Sequence, residues 1–92
     1  MANSTQQVVV VDESATQISL YERSIASLEV QLNSFRFSNE GLAHLRNHQA
    51  DLLFLDLAMT DADGLTFLRE MRDMKGHSAT PVVVVTSKDY AQ

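Results

Sequence analysis

Three apolar runs in this chain each end in groups able to do chemistry. LLFLD, Leu52–Asp56, closes on a carboxylate, and VVVVDE, residues 8–13, closes on two, Asp12 and Glu13. PVVVVTS, residues 81–87, closes on two hydroxyls, Thr86 and Ser87. Runs of Val, Leu and Phe without polar alternation are the pattern of parallel strands covered on both faces, so the polar ends would gather along one edge of one sheet. An unpaired carboxylate is costly to bury, and an acid at such a strand end is expected to meet a metal, a cation or a reaction. If the first and third strands are neighbours, Asp12, Glu13 and Asp56 converge. Three carboxylates within a few Å repel, raise one another's pKa and are best satisfied by a hard divalent cation with oxygen ligands. Mg2+, which keeps several waters and takes few protein oxygens, meets that demand.

The elements that must position these acids alternate between strand and helix. The first strand is expected over residues 7–12. Ser14 can cap a first helix, with Gln17 at capping-box spacing, and Ile18, Tyr21, Ile25 and Leu28 form its apolar stripe. A second strand is expected over 29–35. Ser38 or Asn39 can cap a second helix running through Leu42, Leu45 and His48, which Gly41 weakens a little. The third strand spans 51–56, and a turn-rich loop follows over 58–64. In the third helix Leu65, Leu68 and Met71 share a face, and after a loop over 75–80 Pro81 opens the fourth strand, where no ladder donor is lost. This order with short loops implies a parallel α/β sheet with right-handed crossovers and helices on both faces. Ligands of such a sheet sit outside the carboxyl ends of its strands, where the strand order reverses.

Composition narrows the possibilities. At 92 residues and 45% hydrophobic the chain makes one small domain, 1–92, with no repeat or linker. A net charge of −5 with seven scattered Lys and Arg argues against direct binding of nucleic acid. The lack of cysteine removes disulfides, thiolate metal sites and thiol nucleophiles. No apolar stretch reaches the roughly 18 residues of a membrane span, and the first seven residues are uncharged, unlike a signal peptide, so a cytoplasmic location is expected. With three glycines, at 41, 64 and 76, there is no Gly-rich phosphate loop. An aspartyl phosphatase of the haloacid dehalogenase type needs a second acid two residues after its nucleophile, and Ala58 stands there.

At the three runs the sequence resembles the receiver domain of two-component response regulators. VVVVDES matches the first strand with its acidic pair, LLFLDLAMTDADGL the phosphoacceptor strand and its loop, and PVVVVTS the fourth strand with its hydroxyl switch residue. The resemblance implies a flavodoxin-like fold with strand order 2-1-3-4. It implies Asp56 as phosphoacceptor, Asp12, Glu13, Asp56 and the backbone carbonyl of Ala58 as Mg2+ ligands, and Thr86 as the phosphoryl contact. Gly64 matches the glycine that opens the third helix. Thr60 stands where members of the family usually carry proline. The family's fifth strand, with its lysine and aromatic, and its last helix have no counterpart in these 92 residues, and Lys88, two residues past Thr86, does not take the lysine's place.

The function so implied is that of a phosphoacceptor rather than an enzyme, taking a phosphoryl group from a sensor histidine kinase or phosphotransfer protein. The rival reading is a receiver-like interaction module that is not phosphorylated. Four consecutive valines at an open fourth strand suggest a homodimer or exchanged assembly through that edge. Asp61 and Asp63 read as turn and cap residues. His44, His48 and His77 lack metal-ligand spacing and are expected in solvent.

Overall fold

The computed structural model describes residues 5–59 and 64–85. Within them seven elements alternate: β1 (Gln6–Val11), α1 (Ala15–Ser24), β2 (Val30–Phe35), α2 (Ser38–Asn47), β3 (Leu52–Asp56), α3 (Gly64–Arg72) and β4 (Val82–Val85). The four strands form one sheet in the order β2-β1-β3-β4, and every pair is parallel. No helix among the described residues is long and apolar enough to cross a membrane.

The sheet separates two unequal layers. Val9 and Val11 of β1 and Leu53 and Leu55 of β3 face α2 and α3, where Leu42, Leu45, Met59, Phe67 and Met71 complete a buried cluster. On the other face Tyr21 of α1 lies against Phe54, with ring centroids 4.9 Å apart, and Ile18 is buried. β1 is buried through Val8, Val9, Val10 and Val11, as its apolar run suggests. β4 is not, although its run is just as apolar: Val83 is 43% exposed and Val84 42%. The difference is position in the sheet, because β3 is the only strand beside β4 among the described residues.

Other departures from the sequence reading have equally local causes. Ser14 caps α1 as expected, its hydroxyl accepting from the Gln17 amide at 3.1 Å, but the helix ends at Ser24 and Leu28 is exposed. At α2 neither Ser38 nor Asn39 is the cap. Phe37 takes that position in extended backbone, and its carbonyl accepts from both Glu40 and Gly41. In α3 the buried face is Gly64, Phe67 and Met71, with Leu68 partly buried and Leu65 61% exposed.

His77 is not in solvent: it is 1% exposed. Its Nδ1 lies 3.0 Å from the Thr80 hydroxyl, and its Nε2 lies 2.8 and 3.0 Å from the carbonyls of Leu45 and His48. Two carbonyls can only accept, so Nε2 carries the proton and donates. Arg72 donates to the carbonyls of His77 and Thr80 at 3.0 and 2.7 Å. The loop ahead of β4 is thereby tied to the end of α2 and to α3. His44 is half-buried and stacks on His48 with centroids 4.2 Å apart.

Gly41 weakens α2 in propensity but is required by packing. A Cβ there would stand 2.7 Å from Val11 Cγ2 and 3.4 Å from Phe67 Cε2. Overpacking costs about 1–3 kcal/mol, against a gain of about 1 kcal/mol for replacing glycine within a helix. Gly41→Ala is therefore expected to lower the melting temperature in a circular-dichroism melt, whereas at an open helical position it would raise it. An unchanged or raised value would show that α2 does not rest on β1 at this distance.

Candidate functional site

The strand order reverses between β1 and β3, and at that seam ligands of a parallel sheet bind. The register pairs Val11 with Leu55, so one step further the ladder brings Asp12 and Asp56 side by side. Both are buried, at 1% and 3% exposure. Asp12 is pinned from the β2 side, its amide donating to the Phe35 carbonyl at 3.0 Å. Leu57 N–H donates to Val85 O at 3.3 Å, which fixes the chain just past Asp56 against β4.

The two acids are held in the same way. Asp12 Oδ1 accepts from the amide of Ser14 at 2.9 Å, and Asp56 Oδ1 accepts from the amide of Ala58 at 3.0 Å. Each bond spans two residues, the turn that Asp forms readily with its own backbone. Asp12 Oδ2 is buried and has no hydrogen-bond partner. Burial pushes the Asp12 carboxyl above its ordinary value; the Ser14 amide opposes this, while the nearby carboxylate of Asp56 and the charge of Glu13 add to it. Tyr21, on the neighbouring face, is also raised, by burial first and then by the charge of Asp12, with a hydrogen bond to Gln17 working against it and the charge of Asp56 adding a little.

The convergence expected of three carboxylates is reduced to a pair. Asp12 and Asp56 come together, while half-buried Glu13 acts on Asp12 through its charge. Among the described residues no three His, Asp or Glu side chains are arranged to hold a metal. A buried carboxylate oxygen with no partner, beside a second buried carboxylate, nevertheless suits a hard cation. Mg2+ binds through one or two carboxylates and completes its shell with water, so two acids and a backbone carbonyl suffice. Thr86, Asp61, Asp63 and Lys88 lie outside the described residues.

Two features of the site went unread in the sequence. Gly64 does more than open α3: a Cβ there would stand 2.6 Å from Leu57 Cδ2 and 2.9 Å from Leu57 Cα. The start of α3 is thus pressed against the residue following Asp56, and Gly64 N–H donates to Leu57 O at 3.3 Å. Arg36, directly after β2, reaches over β1 and donates from Nε to the Glu13 carbonyl at 3.0 Å. No local spacing rule marks an arginine on one strand as the partner of a carbonyl on the next.

The raised Asp12 carboxyl sets the sign of a pH effect. A group whose folded pKa lies above its unfolded value, 3.8 here, stabilises the fold at low pH and ceases to do so as the pH rises through the folded value. Asp12→Asn keeps the Oδ1 acceptor for Ser14 and removes the charge. In metal-free protein its melting temperature is expected to exceed that of the parent at neutral pH, and the gap is expected to close as the pH falls toward 3.8. Mg2+ should raise the parent alone. A variant less stable than the parent at neutral pH would show that the carboxylate is satisfied without metal.

Comparison with known proteins supports the same reading. The profile described as response regulator receiver domain matches residues 8–92. The chain is 31% identical over 80 residues to the DNA-binding transcriptional regulator NtrC of Salmonella typhimurium, covering 87% of this chain and 17% of NtrC. It is 25% identical over 83 residues to protein PilH of Pseudomonas aeruginosa, covering 90% of this chain and 69% of PilH. It therefore spans about a sixth of the length of NtrC. Among solved structures, the chemotaxis response regulator CheY4 of Vibrio cholerae has a TM-score of 0.86 at 19% identity, over 92% of this chain and 71% of that one. The receiver domain of a Pseudomonas aeruginosa sensor histidine kinase, described with magnesium in its active-site cleft, has a TM-score of 0.86 at 16% identity, over 96% and 72%. With the sheet order, the buried acids at its switch point and a profile match over most of its length, this chain belongs to the response regulator receiver domain family of two-component signalling.

Proposed function

We propose that the chain accepts a phosphoryl group on Asp56 from a phosphohistidine of a sensor kinase or phosphotransfer protein, and that the reaction needs Mg2+. The observation that carries this reading is the partnerless, buried Oδ2 of Asp12 beside Asp56. A structural aspartate would have its oxygens satisfied, since buried polar groups without partners are rare in folded proteins.

In this reading Ala58 N–H holds Asp56 Oδ1 and leaves the other carboxylate oxygen to attack phosphorus in line. The bond from phosphorus to the donor's imidazole nitrogen breaks as the new oxygen–phosphorus bond forms. The electron pair stays with the imidazole, which takes up a proton. Asp12, Asp56 and the Ala58 carbonyl are the proposed metal ligands, with Glu13 adding its charge beside them. When bound, Mg2+ supplies positive charge against the carboxylates and the equatorial phosphoryl oxygens. Thr86 is the proposed hydroxyl contact. The acyl phosphate adds about 1.5 to 2 negative charges and three acceptor oxygens, next to a loop that Leu57 and Gly64 join to α3. The phosphoryl group leaves with the protein, so the chain is a stoichiometric acceptor and not an enzyme that turns over a substrate.

Acetyl phosphate with Mg2+ is expected to add one phosphoryl group to the chain in intact-mass measurements, and none to Asp56→Asn. Mg2+ with beryllofluoride should shift the amides of Asp12, Glu13, Asp56 and Ala58 in NMR spectra of the parent only. A folded chain that binds neither Mg2+ nor beryllofluoride would overturn the proposal and leave an interaction module that is not phosphorylated.

A further inference from the structure

We propose that Arg36 is an anion-receiving residue of this site, the group that meets the phosphoryl oxygens of an incoming donor at the rim of the Asp12–Asp56 pocket. The proposal deepens the phosphoacceptor reading and rests on it for the identity of the anion.

Charge poses the problem. Asp12, Glu13 and Asp56 are three acids, and the two charges of a bound Mg2+ leave the pocket negative. A phosphodonor is itself an anion and is repelled unless positive charge stands nearby. The helices cannot supply it from their basic ends. In a parallel sheet they run back against the strands, so their last turns lie at the opposite edge. Arg23 of α1, Arg46 of α2 and Arg69 and Arg72 of α3 all sit in those last turns, and Lys75 follows α3. Among the described residues Arg36 is the one lysine or arginine at the carboxyl edge.

Its placement is specific. The bond from the Asp12 amide to the Phe35 carbonyl joins the residue before Arg36 to the residue before Glu13. Neighbouring strands lie about 4.8 Å apart, well within the length of an arginine side chain. The guanidinium is turned toward β1, with Nε 3.0 Å from the Glu13 carbonyl and Cζ 5.8 Å from the centroid of the Phe37 ring. Bound through Nε, the planar fork carries four more N–H donors on its two terminal nitrogens. Two parallel N–H groups of this kind match two oxygens of a phosphoryl group. The same bond ties Arg36 to the loop bearing Glu13, so the cation keeps its place as the site is filled.

The test separates this role from a clamp on the Glu13 loop. Inorganic phosphate is titrated by NMR into the Mg2+-loaded chain and into Arg36→Gln and Arg36→Lys. Saturable shifts at the Arg36 side-chain N–H and at the Glu13 and Ser14 amides are expected. Arg36→Gln should weaken phosphate binding roughly tenfold, the lower range for losing a hydrogen bond to a charged group, and Arg36→Lys should restore much of it. The Mg2+ affinity of Arg36→Gln should not fall, since removing a cation can only relieve its repulsion of the metal. Phosphorylation by acetyl phosphate should slow by a factor similar to the loss of phosphate affinity, and phosphorylation by phosphoramidate, which carries less negative charge, should slow less. Unchanged phosphate binding in Arg36→Gln overturns the proposal, and so does a loss that follows weakened Mg2+ binding. If phosphate binds through Arg36 while Asp56 is never modified, the anion site stands and the phosphoacceptor reading falls.

Discussion

Two buried carboxyl groups that would repel each other share the seam between β1 and β3, and most of the fold serves to hold them there. Removing a carboxylate from water is costly, and for Asp12 and Asp56 the cost is offset only in part. Each carboxylate accepts one amide from its own backbone, bonds of a kind that contributes about 1.5–3 kcal/mol when one partner is charged. What drives the acids into the seam is the apolar chain before them, Val8, Val9, Val10 and Val11 on one strand and Leu53 and Leu55 on the other. The hydrophobic free energy of those side chains is gained whether or not the acids are comfortable. A buried oxygen without a partner remains at Asp12 Oδ2, the deficit that the proposed Mg2+ would remove.

This division explains what could be read from the sequence. β1, β3 and β4 carry contiguous apolar runs, so these strands and their polar ends are visible in single stretches such as LLFLD, whereas β2, VQLNSF, shows only a weaker pattern. The pairing of Asp12 with Asp56 follows once β1 and β3 are neighbours, an arrangement that the alternation of elements leaves open and the resemblance to receivers implies. Long-range polar partners were not legible. His77 bonds to carbonyls 32 and 29 residues away, and no spacing signals such a contact. The buried face of α3 was misjudged because Leu65 and Phe67 are both large and apolar, and only the position of the sheet decides between them. The value of Gly41 was misjudged because propensity counts what glycine lacks, whereas packing depends on the 2.7 Å that a side chain would have had to occupy.

The valines of β4 show the same limit from another side. Their sequence is as apolar as that of β1, yet burial depends on what lies on either hand, and β1 has a strand on both sides. The apolar run reports that a strand prefers the interior without reporting whether it reaches it. Arg36 is the complementary case: a charged residue, unremarkable in the sequence, given meaning by the strand end on which it stands and the carbonyl it binds.

Two of the glycines also mark where backbone can come no closer to its neighbour. At Gly41 and Gly64 backbone lies so near its neighbour that α2 cannot settle further onto β1, nor the start of α3 onto Leu57. Steric walls of this kind resist compression steeply and leave little room for displacement. Among the described residues β4 stands at the edge of the sheet. Val83 and Val84 are open to solvent, and the strand carrying them is joined to the acidic seam by the bond from Leu57 to Val85. The two ends of that bond are thus unequally backed: Leu57 is pressed by Gly64, whereas Val85 belongs to the strand that carries the open valines.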